Sequence, residues 1–183
     1  MPLIILCLFF IGSFNGANLI TYLLKLESIS TQGSKNPGAT NMARIYGKKL
    51  GFAVFVFDFL KAFIPLYYLK MTILSPLTLS LGLMALVIGH CYSVFLKFQG
   101  GKGVATFLGA ILALFPHFLM IGGIIWLFVF LLSKKAWLGS ISLASAMMAL
   151  ALSNHIDINQ NMIPLILTSG LIIYRHKSNW ITI

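Results

Sequence analysis

Long apolar runs separated by short polar stretches set the pattern of this chain. Residues 2–24 are apolar and about long enough to cross a ~30 Å hydrocarbon core, with Gly12, Ser13, Asn15, Gly16 and Asn18 interrupting the run. Such small and amide residues suit contacts between helices of a bundle. A polar loop follows over 25–50. Further apolar runs cover 51–69 and 72–95, the latter entered through Ser75-Pro76. Residues 104–132 are apolar throughout, a helix of ~43 Å if unbroken. That is long for one crossing, and Pro116-His117 predicts a break into a hairpin of two spans. The last runs cover 136–153 and 162–174, with a short polar turn at 154–161 between them. The first run lacks a basic n-region and a small-residue cleavage site, so it reads as a retained span, not a signal peptide. The expected architecture is an all-α polytopic membrane protein with seven transmembrane helices, forming a single integral membrane domain over 1–183.

Composition supports this reading. The chain is 59% hydrophobic and 9% charged, against about 25% charge in soluble domains. Mean hydropathy is +0.96. Thirteen Lys and Arg oppose Glu27, Asp58 and Asp157, a net charge of +10. In a soluble protein that excess would suggest nucleic acid. In a membrane protein it marks cytoplasmic loops. With seven spans and the N-terminus on the periplasmic side, eleven of the thirteen cations fall in inside loops or in the cytoplasmic tail. Six spans would move Lys134, Lys135 and the tail outside. Cys7 and Cys91 lie in apolar runs and imply neither a disulfide framework nor a metal site. The three carboxylates are scattered, no HExxH pattern occurs, and no histidine has Asp five positions on, so neither a metal nor a cofactor is expected.

The inside loops carry the chemistry. Gly100-Gly101-Lys102-Gly103 sets three glycines around one lysine, with a helix expected to start near Val104. Backbone N–H groups of such a loop, a helix N-terminus and a lysine together make an anion site. Leu96 stands where a Walker A loop needs glycine, and Gly103 where it needs Ser or Thr, so an NTPase is excluded. The alternative is a flexible loop with a snorkelling lysine. The first loop offers hydroxyls and amides at Ser34, Asn36, Thr40 and Asn41, together with Arg44, whose fork can hold a phosphate bidentately. Of the serines in the sixth span, Ser140 is the one nearest the preceding loop. The tail reads Arg175-His176-Lys177-Ser178-Asn179; a basic juxtamembrane tail otherwise anchors on headgroups. Asp58 and Lys61, three apart in the second span, are expected to pair and hold that span in the bundle. A transporter for a phosphorylated anion is the main alternative function, and a non-catalytic scaffold binding anionic lipid is another.

The stretches GSKNPGATNMAR, GHCYSVFLKFQGGKGVAT and RHKSN, in that order, resemble the bacterial acyl-phosphate:glycerol-3-phosphate acyltransferase family, PlsY. The resemblance covers essentially the whole chain. It implies a seven-helix protein of the bacterial inner membrane, with the N-terminus periplasmic and the motifs cytoplasmic. It implies transfer of a fatty acyl group from acyl phosphate to the 1-hydroxyl of sn-glycerol 3-phosphate, giving lysophosphatidic acid and phosphate, the first acylation of phospholipid synthesis. Acyl-CoA and acyl carrier protein would not serve as direct donors. The acyl phosphate would come from a soluble partner enzyme, PlsX. Carried onto this chain, the catalytic residues are Ser34, Arg44, Lys102, His176 and Asn179. Asn36, Thr40, Asn41, Gly100, Gly101, Gly103 and Ser140 would bind substrate. Two departures stand out: Phe14-Asn15 where the family has Ile-Pro after Gly-Ser, and Ser93 where it has proline. Both bear on helix geometry more than on the anion groups.

Overall fold

The computed structural model describes residues 1–72, 74–153 and 162–179. The turn expected at 154–161, with Asp157, lies outside the described residues. Among those described, the regular structure is entirely helical. The first apolar run is two helices, α1 (Pro2–Ser13) and α2 (Gly16–Leu23), bent by 51°. Asn15 makes the break: it is extended, and its side chain caps α2 by accepting from Asn18 N–H at 3.0 Å.

The polar stretch 25–50 is more ordered than its composition suggests. It contains α3 (Ala39–Tyr46), whose Met42 is buried with Ala17, Ile29 and Val54 in a small apolar cluster. Burial of this one stripe supports a helix too short to stand alone in water. α4 (Lys48–Lys70) and α5 (Pro76–Cys91) follow. Ser75 caps α5 and Pro76 sits where a helix tolerates proline. A 3-10 turn, Val94–Leu96, leads into the central loop and then α6 (Val104–Leu114). Pro116 cannot donate to α6, so the helix ends and α7 (Pro116–Ser133) begins, as the sequence predicts. α8 (Ala136–Leu152) and α9 (Ile163–Arg175) complete the order.

α5 is the centre of the bundle, touching α1, α4, α6 and α9, while α7 packs on α8 and α8 on α9. The main core runs through Leu66, Leu83, Leu86, Phe107, Ile111 and Leu143. Small residues let backbones approach. A Cβ on Gly12 of α1 would overlap the Leu86 carbonyl of α5, and one on Gly109 of α6 would overlap the Phe59 carbonyl of α4. On length and composition, α4, α5 continued to Leu96, and α7 can each cross a membrane, and the bent pair α1–α2 is long and apolar enough to make a fourth span if its two helices count as one. α6 and α8 are shorter apolar helices.

Candidate active site

After α5 the chain folds back onto the end of that helix. Gly100 N–H donates to Cys91 O and Gly101 N–H to His90 O, both at 3.1 Å. These bonds satisfy carbonyls that the helix terminus leaves without partners. Only glycine allows this approach: a Cβ on Gly100 would overlap the His90 carbonyl oxygen and come within 2.9 Å of the Cys91 carbonyl carbon. The carbonyls of the same two glycines point the other way, to Arg175. Its Nη2 donates to Gly100 O at 2.7 Å and Gly101 O at 3.0 Å, and its Nε to Gly101 O at 3.2 Å. The guanidinium lies 5.1 Å from the centre of the Tyr92 ring. The anion nest expected from the glycine N–H groups is therefore corrected: those of Gly100 and Gly101 close the loop on α5. The first backbone bond of α6 is Phe107 N–H to Gly103 O. The donors this stretch leaves toward an anion are thus Gly103 N–H and the first-turn N–H groups of α6.

Lys102 is half-buried, and its ammonium donates to Asn179 Oδ1 at 2.8 Å. Burial, then the positive charges of Arg175 and Arg44, push its pKa down to about 8. Neither carboxylate among the described residues is there to offset them. Glu27 is bonded to Gln32 at 2.9 Å, and Asp58 is paired inside the bundle. A cluster of cations without counter-charge favours a bound anion. Beside it, His176 is buried, with Nδ1 2.8 Å from Ile172 O. A carbonyl only accepts, so Nδ1 carries the proton and Nε2 holds a free lone pair. Burial pushes this imidazole down to about 4; the Ile172 bond opposes the shift, and the charges of Lys102 and Arg175 reinforce it.

The first loop meets the central loop across a polar cleft of ≈ 790 Å³, whose walls include Ser34, Asn36, Lys97, Gln99, Gly100 and Arg175. Asn41 is buried, and its amide holds the loop together. Its Oδ1 accepts from Ser34 N–H at 3.0 Å, and its Nδ2 donates to Gln32 O at 2.9 Å and Ile29 O at 3.4 Å. Thr40 is exposed on the first turn of α3 and Arg44 on its last. Ser140 is buried in α8, with its hydroxyl donating to Ala136 O of the same helix at 3.0 Å. So Ser34, Asn36 and Gly100 share the cleft, Lys102 joins Asn179, Asn41 spends its amide on the backbone of the first loop, and Ser140 turns its hydroxyl onto its own helix. Sequence reasoning set Arg175 aside as a headgroup anchor, although it adjoins His176 in the RHKSN motif. His90, at the end of α5, holds the central loop through its carbonyl, which accepts from Gly101 N–H. Among the described residues, no group of three His, Cys, Asp or Glu could hold a metal.

Known proteins share this fold and sequence pattern. The family model described as glycerol-3-phosphate acyltransferase matches residues 2–183. A glycerol-3-phosphate acyltransferase of Legionella pneumophila (strain Corby) is 38% identical over 180 residues, which cover 97% of this chain and 64% of that protein. The chain thus spans less than two thirds of the length of that relative. The protein of the same description from Aquifex aeolicus (strain VF5) is 38% identical over 173 residues, covering 93% of this chain and 88% of its own. The crystal structure of PlsY (YgiH), an integral membrane glycerol 3-phosphate acyltransferase, in its glycerol 3-phosphate form superposes with a TM-score of 0.88. It is 33% identical over 97% of this chain and 88% of that one. The lysophosphatidic acid form gives 0.84 at 34% identity, with the same coverage. The apolar helices and this likeness make the protein a multi-pass membrane protein. With the matching family model and the shared fold, the chain belongs to the glycerol-3-phosphate acyltransferase family.

Proposed function

We propose that this chain transfers a fatty acyl group from acyl phosphate to the 1-hydroxyl of sn-glycerol 3-phosphate, releasing lysophosphatidic acid and phosphate. The observation that carries the reading is the uncompensated cation cluster of Lys102, Arg175 and Arg44 at the start of α6, beside a polar cleft. Two phosphorylated substrates repel each other, and this cluster screens that repulsion. Solved relatives described in glycerol 3-phosphate and lysophosphatidic acid forms support the choice of substrate and product.

In this reading Lys102 and Arg44 hold the phosphates, with Asn179 orienting the ammonium. Ser34 and Asn36 line the acceptor side. First-turn N–H groups of α6 stabilise the charge that develops on the acyl carbonyl. The glycerol O1–acyl bond forms, the acyl–phosphate C–O bond breaks, and the hydroxyl proton leaves with the departing phosphate. His176, neutral at physiological pH, accepts a hydrogen bond from the glycerol phosphate and orients it. No acyl-enzyme is formed. The protein is read as a single domain over 1–183 that crosses the bacterial inner membrane seven times, with the N-terminus periplasmic and the C-terminus cytoplasmic. The eleven residues of α6 rise only ~16 Å. In this reading α6 crosses only part of the hydrocarbon core, and its N-terminus sits below the membrane surface, within reach of a lipid-dissolved donor. PlsX would dock on the cationic face.

The test is acyl transfer by purified protein in detergent, with labelled glycerol 3-phosphate and either acyl phosphate or acyl-CoA. Lysophosphatidic acid is expected from acyl phosphate alone and is lost in Lys102→Ala. Product from acyl-CoA would overturn the donor. No product from a folded protein that still binds glycerol 3-phosphate would overturn acyl transfer.

A further inference from the structure

Three ionisable side chains meet inside the bundle, away from the substrate groups. Asp58 of α4 and His90 of α5 have side chains 2% and 4% exposed, and Lys61 of α4 is 5% exposed. The Lys61 ammonium lies 2.8 Å from Asp58 Oδ1, 2.5 Å from Phe14 O and 2.9 Å from His90 Nδ1. An ammonium only donates, so all three protons have acceptors. His90 therefore accepts at Nδ1 and carries its proton on Nε2. Asp58 Oδ1 also accepts from Gly16 N–H at 3.2 Å and lies 3.6 Å from His90 Nδ1.

Part of this network explains itself. Phe14 O and Gly16 N–H are backbone groups at the break between α1 and α2, which no helical bond satisfies, and Lys61 and Asp58 supply their partners. That role does not require His90. A buried ion pair is weak support for stability, because apolar replacements of similar volume are often neutral or stabilising. What His90 adds is a link to the central loop. Its carbonyl accepts from Gly101 N–H, and its ring is packed so closely on Gly101 that a Cβ there would overlap Nε2 and lie 3.2 Å from Cδ2 and Cε1. The other arm runs through the break. Asn15, between Phe14 and Gly16, donates from Nδ2 to Pro37 O at 2.9 Å. Pro37 directly follows Asn36 in the cleft wall. The wall of Gln99 and Gly100 and the wall of Ser34 and Asn36 thus both connect to this network, one through the carbonyl and ring of His90 and the other through Asn15 at the break.

We propose that Asp58, Lys61 and His90 are positioning residues that form one joint setting the spacing between the two loops of the active site. The inference rests on the acyl-transfer reading, because that reaction needs donor and acceptor, held on different loops, at a fixed separation. Displacement of about 1 Å between reacting groups costs about 100-fold in rate. Binding to either loop alone changes little.

Two variants test the joint: Asp58→Asn, which keeps an acceptor for Gly16 N–H, and the double replacement Asp58→Leu with Lys61→Met, which removes both charges. Each is assayed for kcat with acyl phosphate, KM for glycerol 3-phosphate and Tm in detergent. The expected result is kcat down about 100-fold, with KM within about threefold of the parent; Tm stays within a few degrees for Asp58→Asn and falls further for the double variant, which leaves Phe14 O and Gly16 N–H without partners. In parallel, spin labels at Lys35→Cys and Lys97→Cys, in a Cys7→Ser background, report the distance across the cleft. The unsubstituted joint gives one narrow distribution, and Asp58→Asn broadens it. Unchanged kcat per folded molecule with an unbroadened distance overturns the proposal. So does failure of both variants to fold, which makes the network a staple of the bundle. If the parent makes no product, the acyl-transfer reading fails, and the distance measurement still decides the joint.

Discussion

Arg175 allows charge to be separated from geometry at the active site. Its fork donates three hydrogen bonds to the carbonyls of Gly100 and Gly101, and its charge helps hold Lys102 down at about 8. Arg175→Gln removes the charge and keeps, at most, one of the three bonds. Bonds from charged donors contribute about 1.5–3 kcal/mol each, so two lost bonds weaken the loop tether by about 3–6 kcal/mol and kcat/KM falls at every pH. Arg175→Lys also breaks the fork but keeps the charge. The two variants differ in pH dependence. In the proposed reaction Lys102 must be protonated to hold a phosphate, so kcat/KM of the parent is expected to fall as pH rises through about 8. Removing the Arg175 charge raises the Lys102 pKa, and the falling limb of Arg175→Gln moves to higher pH. In Arg175→Lys the limb stays near that of the parent. The assay is kcat/KM for glycerol 3-phosphate between pH 6.5 and 10, a quantity that reports groups of the free enzyme. A limb in Arg175→Gln that stays at about 8 or moves lower would refute the electrostatic argument. Undiminished kcat/KM in both variants would refute the tether.

Other outcomes follow from single contacts. Ser93 Oγ donates to Ser13 O at 2.6 Å in a buried position, so Ser93→Ala should lose about 1 kcal/mol, read as a lower Tm in detergent. Ser93→Pro should lose less, because φ at this position is −62° and proline stiffens the unfolded chain. His176 has a folded pKa of about 4 against 6.5 for the free side chain. The unfolded chain therefore binds more protons between these values, and stability falls as pH drops from 6.5 to 4 by up to about 3 kcal/mol. His176→Gln should abolish that part of the acid loss, measured as Tm at pH 7.5 and pH 5. A Cβ at Gly109 would overlap the Phe59 carbonyl oxygen and lie 2.9 Å from its carbon. Gly109→Ala should therefore force α4 and α6 apart at about 1–3 kcal/mol, and an unchanged Tm would show that the helices can yield.

Much of the helix order is legible in the sequence because it follows from local rules. Pro116 divides 104–132 where its missing N–H requires, and Asp58 and Lys61 meet because three residues is nearly one helical turn. The bend at Phe14-Asn15 is marked by the small and amide residues there, but they read equally as helix contacts, and the run passes for one straight span. α3 is missed because its stabilising burial comes from Ala17 and Val54, distant in sequence. The same limit applies at the site. Lys102 stands out among its glycines, yet the direction of their N–H groups depends on where α5 ends. Nothing local joins His90 to Lys61, 29 residues away. The two departures from the family pattern meet in space, where the Ser93 hydroxyl bonds to Ser13 O beside the break that Asn15 caps.

By itself, the sequence determined the membrane class, the order of the apolar runs, the family and the loops that carry the polar chemistry. These depend on composition, on periodicity and on motifs read within a few residues. Only the tertiary structure decided which polar groups remain free for a ligand. Asn41, Ser140 and the N–H groups of Gly100 and Gly101 are held by their surroundings, while Arg175 is drawn into the cleft. The physical reason is that a buried donor or acceptor must find a partner, and the partner available is set by which helices pack together, not by which residues are neighbours in the chain.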